Sequence, residues 1–153
     1  GELKSKSTIA KLGKLVLNDL YPQNQIAFFQ QGTHTPYLII GGYIDNSFKI
    51  IRDGQLLQSI KFTGNSQQQA NLINVEQVTA VQCAYIRRIK QCVIAVGSKD
   101  CRITLWRLDL QKRHVDESKK DLSEILYGHH NEVTALFIEK TLGVVISTDK
   151  VAP

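Results

Sequence analysis

One pattern of residues occurs twice at a fixed distance, and it limits the fold more than any other feature of the chain. Gly42 and Asp45 recur as Gly97 and Asp100, and Val78-Thr79-Ala80-Val81 recurs as Val133-Thr134-Ala135-Leu136, every pair 55 positions apart. Two independent matches at one offset mark an internal repeat, and repeat units stack because none buries its apolar face alone. The clearest unit lies in residues 91–110. An apolar run, Val93 to Val96, stops at Gly97-Ser98-Lys99-Asp100, and Ile103 and Leu105 then alternate with Arg102 and Thr104 up to Trp106, the only tryptophan. That pattern predicts a tight β-hairpin whose first strand is buried on both faces.

Each repeat reads as four strands, a to d. In the complete unit they fall at about residues 78–86, 92–97, 101–108 and 122–127, and Gly128-His129 then precedes the next strand a. A Gly-His before strand a, a Gly-x-x-Asp turn and a Trp closing strand c, in register, are the marks of a WD-repeat β-propeller blade, whose usual period is roughly 40–45 residues. Two loops account for the excess: a Gln/Asn-rich stretch at 64–74 and a charged, solvated segment from Asp109 to Asp121. The expected fold is therefore all-β, about two and a half blades of a partial propeller. Residues 1–20 form a linker or an outer strand of a preceding blade, 21–63 the first recognisable blade, 64–74 the loop, 75–127 the complete blade and 128–153 the start of a third. In the first blade Tyr21-Pro22-Gln23-Asn24 reads as a turn, and Asp53-Gly54 as a two-residue hairpin loop. Propellers close with about 4–8 blades, so the count implies a piece of a longer protein whose remaining blades are its nearest partners.

The chain of 153 residues is 42% hydrophobic and 22% charged with a net charge of +5, ordinary for a globular domain. It contains no run of 18 apolar residues. Lys4, Lys6, Lys11 and Lys14 surround Ile9, Leu12 and Val16, compatible with a basic amphipathic helix, though Gly13 interrupts it. Cys83, Cys92 and Cys101 fall in successive strands of one blade at a spacing that resembles no zinc site. They read as buried thiols in a reducing compartment, with a Cys83–Cys92 disulfide geometrically open. No Gly-rich phosphate loop, nucleophile elbow or metal cluster is present. His129 and His130 beside Glu132 suggest a general base, but the Gly-His position makes His129 a blade-stapling residue. Catalytic, cofactor and metal residues are thus expected to be none.

Binding remains. Loops a–b and c–d emerge on one face of a propeller, b–c and d–a on the other. Arg87, Arg88 and Lys90 in the a–b turn make the first face basic, whereas Asp45, Glu76 and Glu132 make the second mildly acidic, with Lys99 offsetting Asp100. These three cations are the candidate partner-binding residues, suited to an acidic protein or an anionic membrane surface. A pI near 9.2 keeps a nucleic-acid or ribonucleoprotein complex as the alternative, but only Tyr85 stands near Arg87 and Arg88 to stack a base.

Residues 41–49 (Gly41-Gly42-Tyr43-Ile44-Asp45-Asn46-Ser47-Phe48-Lys49), Gly97-Ser98-Lys99-Asp100 with Leu105-Trp106, and Gly128-His129 with Val133 and residues 142–147 stand in one order. In that order they resemble the WD-repeat propeller that follows the BEACH domain in the BEACH family of large scaffold proteins. The resemblance covers roughly residues 35–150. Ile44 departs from the family's Trp, and Ile73-Asn74 from its Gly-His. The resemblance implies a non-enzymatic protein-protein docking platform in membrane or vesicle trafficking, cytoplasmic and possible at membrane peripheries. It implies Gly42, Asp45, Gly97, Asp100, Trp106, Gly128 and His129 as structural WD positions. It also implies a hydrogen-bonded network of loop His, strand-b Ser or Thr, turn Asp and strand-c Trp. In the complete blade that network is expected to be partial, because Val96 stands at the Ser position and Asn74 at the His position.

Overall fold

The computed structural model describes residues 20–61, 78–117, 125–126 and 128–150. The basic N-terminal segment, the Gln/Asn-rich stretch and Glu76 lie outside them. The described chain is all-β, in three antiparallel sheets consistent with partial propeller blades. β1 (Leu20–Phe29), β2 (Tyr37–Tyr43), β3 (Ser47–Arg52) and β4 (Gln55–Lys61) form the first sheet as a meander. β5 (Val78–Ile86), β6 (Gln91–Ser98), β7 (Ile103–Asp109), β8 (His114–Val115) and β9 (Ile125–Leu126) form the second, and β10 (Val133–Glu139) with β11 (Val144–Asp149) the third.

The sheets stack face to face, and β6 shows why its sequence is continuously apolar. Cys92, Ile94 and Val96 join the core shared with the first sheet, while Val93 and Ala95 join the core shared with the third. Successive side chains of a strand point to opposite faces, so a strand with a sheet on each side needs an apolar residue at every position.

The repeated Val-Thr-Ala-Val segment has a specific job. In β5 the register shifts between Val78 and Ala80, and in β10 between Val133 and Ala135. Such a bulge puts residues three apart on one face. Val78 and Val81 accordingly share one core, and Val133 and Leu136 the other. The leading valine of each segment then fills a hole in the preceding sheet. A Cβ on Gly41 would strike Val78, and a Cβ on Gly97 would lie 2.6 Å from Val133 Cγ1. Thr79 Oγ1 adds an inter-sheet bond, donating to the Val133 carbonyl at 2.5 Å.

This packing moves the glycine correspondence by one residue. Gly41 pairs with Phe48, as Gly97 pairs with Ile103, so Gly41 rather than Gly42 occupies Gly97's place. Gly42 is an extra residue inserted before the turn, and its φ of 98° is one that other residues rarely adopt.

Three further expectations change. The turn read at Tyr21-Pro22-Gln23-Asn24 is part of β1, where Leu20 faces Tyr43 and Gln25 faces Gly41 across a register shift; its turn-forming residues build a bulge instead. The segment from Asp109 to Asp121, read as a solvated loop, contains a tight turn and β8, with Val115 only 2% exposed. The single outer strand read at 122–127 is divided: β8 pairs with Leu108 and Asp109, whereas β9 pairs with Ile103 and Thr104. By contrast, the Asp53-Gly54 loop has φ of 51° and 70°, as the type I′ turn demands.

The half-length β8 is secured by a side chain from the first sheet. Gln58 Nε2 donates to the Val115 carbonyl at 2.8 Å, and the Val115 amide donates to Gln58 Oε1 at 2.7 Å. The carboxamide thus takes the place of a neighbouring strand. Gln58→Leu should lower stability by roughly 0.5–1.5 kcal/mol for each bond lost, measured as a fall in thermal midpoint. A midpoint equal to wild type would mean that burial of Val115 alone holds β8.

Candidate docking surface

The two ends of the sheets differ in chemistry. At one end lie the β2–β3 and β6–β7 turns, which have the same construction. Asn46 N donates to Tyr43 O at 3.1 Å and Cys101 N to Ser98 O at 3.2 Å, and the left-handed residues are Asn46 (φ 59°) and Cys101 (φ 71°). Asp45 Oδ1 accepts from Ser47 N at 3.2 Å, and Asp100 Oδ1 from Arg102 N at 3.3 Å. Each carboxylate therefore fastens its own turn. Asp100 also holds the Ser98 hydroxyl and forms an ion pair with Arg102, so Arg102, not Lys99, is its counter-charge. Glu132 is met by Lys150 Nζ at 3.7 Å. This end is consequently less acidic than a count of its carboxylates suggests.

Trp106 is 7% exposed and packs against Phe48 of the first sheet, ring centroids 5.6 Å apart and planes at 60°. Its Nε1 finds no hydrogen-bond partner among the described residues, and Asn74 lies outside them. In the third sheet the loop histidine does have partners. His129 Nε2 lies 2.6 Å from Ser147 Oγ and Nδ1 lies 3.3 Å from Asp149 Oδ2. Ser147 faces Leu136 as Val96 faces Val81, so it stands at the position where the middle sheet has valine. Ser147, His129 and Asp149 share the bonding order of a hydrolytic relay. What they join is the segment at Gly128-His129 to β11, which is the geometry of a staple. Sequence reasoning named His129 and missed Ser147 and Asp149, which are only polar residues of an edge strand until the register is known. Glu132, proposed as the histidine's carboxylate, turns instead to Lys150.

The cysteines carry free thiols. Cys83 and Cys92 have their sulfurs 3.5 Å apart, well beyond a disulfide bond. The bond shared with Cys92, and then burial, push the Cys83 thiol up, keeping it protonated. No group of three or more His, Cys, Asp or Glu side chains is placed to hold a metal among the described residues, and no helix there is long and apolar enough to cross a membrane.

The opposite end carries the β5–β6 turn. Arg87, Arg88, Ile89 and Lys90 are all exposed, closed by Lys90 N donating to Arg87 O at 3.2 Å, with Lys90 at φ 54°. The structure brings these three cations together on one short turn, and none is ion-paired with a carboxylate among the described residues. The β10–β11 turn stands beside it, since a Cβ on Gly143 would lie 3.3 Å from Ile86 Cγ2. It exposes Leu142 (65%), as the β5–β6 turn exposes Ile89 (51%), so this end carries apolar as well as basic side chains. Sequence reasoning missed the third contributor, the β7–β8 turn with Lys112 and Arg113. Asp109 Oδ1 accepts from Gln111 N at 2.9 Å and Lys112 N at 3.0 Å. The Lys112 amide, followed by that of Gln111, holds the Asp109 carboxyl below the usual carboxylate range. On the β6 side of this turn is an open cleft of about 420 Å³ with both Lys90 and Lys112 at its walls, and Asp109 and Asp116 as well.

No protein-family model matches the chain. Proteins named as neurobeachin homologs in Caenorhabditis briggsae and Caenorhabditis elegans are each 23% identical to it over 95% of its length. BEACH domain-containing protein B of Arabidopsis thaliana is 26% identical over 74%. The chain spans 6% of each nematode protein and 4% of the plant one. A solved structure of apo ctPRC2 in an autoinhibited state covers 74% of this chain with 22% of its own, at a TM-score of 0.50 and 12% identity, a likeness of fold alone. Weak similarity to neurobeachin-like and BEACH-domain proteins over most of the chain is what the comparisons establish.

Proposed function

We propose that this chain is the WD-repeat propeller part of a BEACH-type scaffold protein, and that it works without catalysis as a platform on which an acidic protein docks. The observation that carries the proposal is the β5–β6 turn: three exposed cations, none ion-paired with a carboxylate among the described residues, on one short turn between the largely buried strands β5 and β6. Charges fixed in this way steer an anionic partner and set its orientation. The similarity to BEACH-domain proteins supports the scaffold role, and a place in vesicle trafficking at the cytoplasmic side of membranes belongs to the same proposal.

The test is Arg87→Glu, Arg88→Glu and Lys90→Glu together in the full-length protein. All three side chains are exposed, so reversal removes no core contact. A fluorescent oligoglutamate peptide should bind wild type at low ionic strength, weaken as salt is raised to physiological levels, and bind the triple variant at least several-fold more weakly. Single-stranded RNA bound more tightly than the peptide, with the steep salt dependence of counterion release, would replace the reading with a nucleic-acid one. Equal peptide binding by variant and wild type would overturn the proposal for this face.

A further inference from the structure

The β7–β8 turn has a second side, toward the first sheet. There a cleft of about 340 Å³ opens between the β1–β2 turn, the end of β3 and the β7–β8 turn. Arg52, Arg113 and His34 contribute to its walls, with Gln31, Gln111 and Leu110, and no carboxylate does among the described residues. Its described lining thus carries charges of one sign, whereas the larger cleft beside Lys90 has Asp109 and Asp116 in its lining.

We propose that this inter-sheet cleft is the receptor for an acidic side chain of an extended peptide segment, with Arg52 and Arg113 as the carboxylate clamp. The proposal rests on the docking reading above and adds where on the basic end the contact is made. Arg52 is already held for this task. Its Nε donates to the Thr35 carbonyl at 3.2 Å, and its guanidinium lies 4.9 Å from the centre of the Tyr37 ring. The Nη groups are left for a ligand, and little side-chain freedom remains to be lost on binding. Arg113 comes from the other wall, on a left-handed residue (φ 59°) whose amide donates to Asp109 O at 2.7 Å. Asp109 turns its carboxylate onto the amides of its own loop, which orders the loop and keeps that negative charge out of this cleft.

The remaining walls distinguish among anions. Gln31 and Gln111 each offer a donor and an acceptor, as a peptide main chain does. Leu110 supplies an apolar patch for side-chain methylenes. Tyr37 is 4% exposed and covered by Arg52, so its ring is not free to stack a base as single-stranded nucleic acid requires. The volume is at the small end of ligand pockets, enough for one or two side chains.

The experiment compares wild type, Arg52→Gln with Arg113→Gln, Arg113→Gln alone and the triple reversal at residues 87, 88 and 90, all in the full-length protein, by anisotropy of the labelled oligoglutamate peptide. The double variant should weaken binding about tenfold or more, the effect of losing one well-placed charged contact, and Arg113→Gln alone several-fold. The single variant is the safeguard, because Arg113 makes no side-chain bond among the described residues, whereas Arg52 does. Millimolar inorganic phosphate should leave the peptide bound. If only the triple reversal loses the peptide, the cleft is not the receptor although the docking reading stands. If wild type does not bind, both fall. Displacement by phosphate at the same concentration as free glutamate would overturn the choice of a peptide.

Discussion

Trp106→Ala should destabilise the protein by about 3–5 kcal/mol, the range for removing a large buried aromatic side chain. The indole lies between the first and second sheets, 7% exposed and in contact with Phe48. Its loss opens a cavity where the two sheets meet and removes an aromatic pair worth about 0.5–1.5 kcal/mol beyond buried area. Trp106→Phe separates packing from hydrogen bonding. Nε1 has no partner among the described residues, so phenylalanine keeps most of the ring contact and discards a buried donor that bonds to none of them. The phenylalanine variant should therefore lie much closer to wild type than the alanine variant in denaturant unfolding. Equal losses for the two would mean that Nε1 makes an important bond, and that the four-part network implied by the resemblance reaches Trp106.

The hairpins were legible in the sequence because their determinants are local. Alternation, the Gly-x-x-Asp turns and Asp53-Gly54 are written within a few residues, and each appears where the pattern places it. The outer strand of the second sheet was not legible. What makes His114-Val115 a strand is Gln58, 57 positions earlier, clamping Val115 from the next sheet. No window around residue 115 contains that information. The candidate surface divides in the same way. Arg87, Arg88 and Lys90 form a run and were found as one. Arg52 and Arg113 are isolated basic residues that meet only because the first and second sheets stack, and Ser147 and Asp149 become partners of His129 only through the register of an edge strand.

The glycine correspondence gives the last expected result, because a shift of one residue changes which substitution should fail and why. Gly97→Ala should cost about 3 kcal/mol, the upper end of the usual overpacking range. The new Cβ would lie 2.6 Å from Val133 Cγ1 and 2.8 Å from Val133 Cβ. The second atom is anchored to the backbone and cannot swing away, so the sheets themselves must separate. Gly41→Ala should also be destabilising but by less, because the closest approach is to a γ-methyl of Val78 and the nearest anchored atom, Val78 Cβ, lies at 3.3 Å. Gly42→Ala should fail differently: its φ of 98° places an alanine in disfavoured backbone territory, at roughly 1–3 kcal/mol. A second substitution tells the two apart. Val133→Ala removes the nearer clashing atom and should partly rescue Gly97→Ala, so that the double variant is more stable than the two single losses added together. Val78→Ala should likewise help Gly41→Ala and leave Gly42→Ala uncorrected. Rescue of Gly42→Ala by Val78→Ala would instead make Gly42 the packed glycine, with the valine knob one residue further along β2.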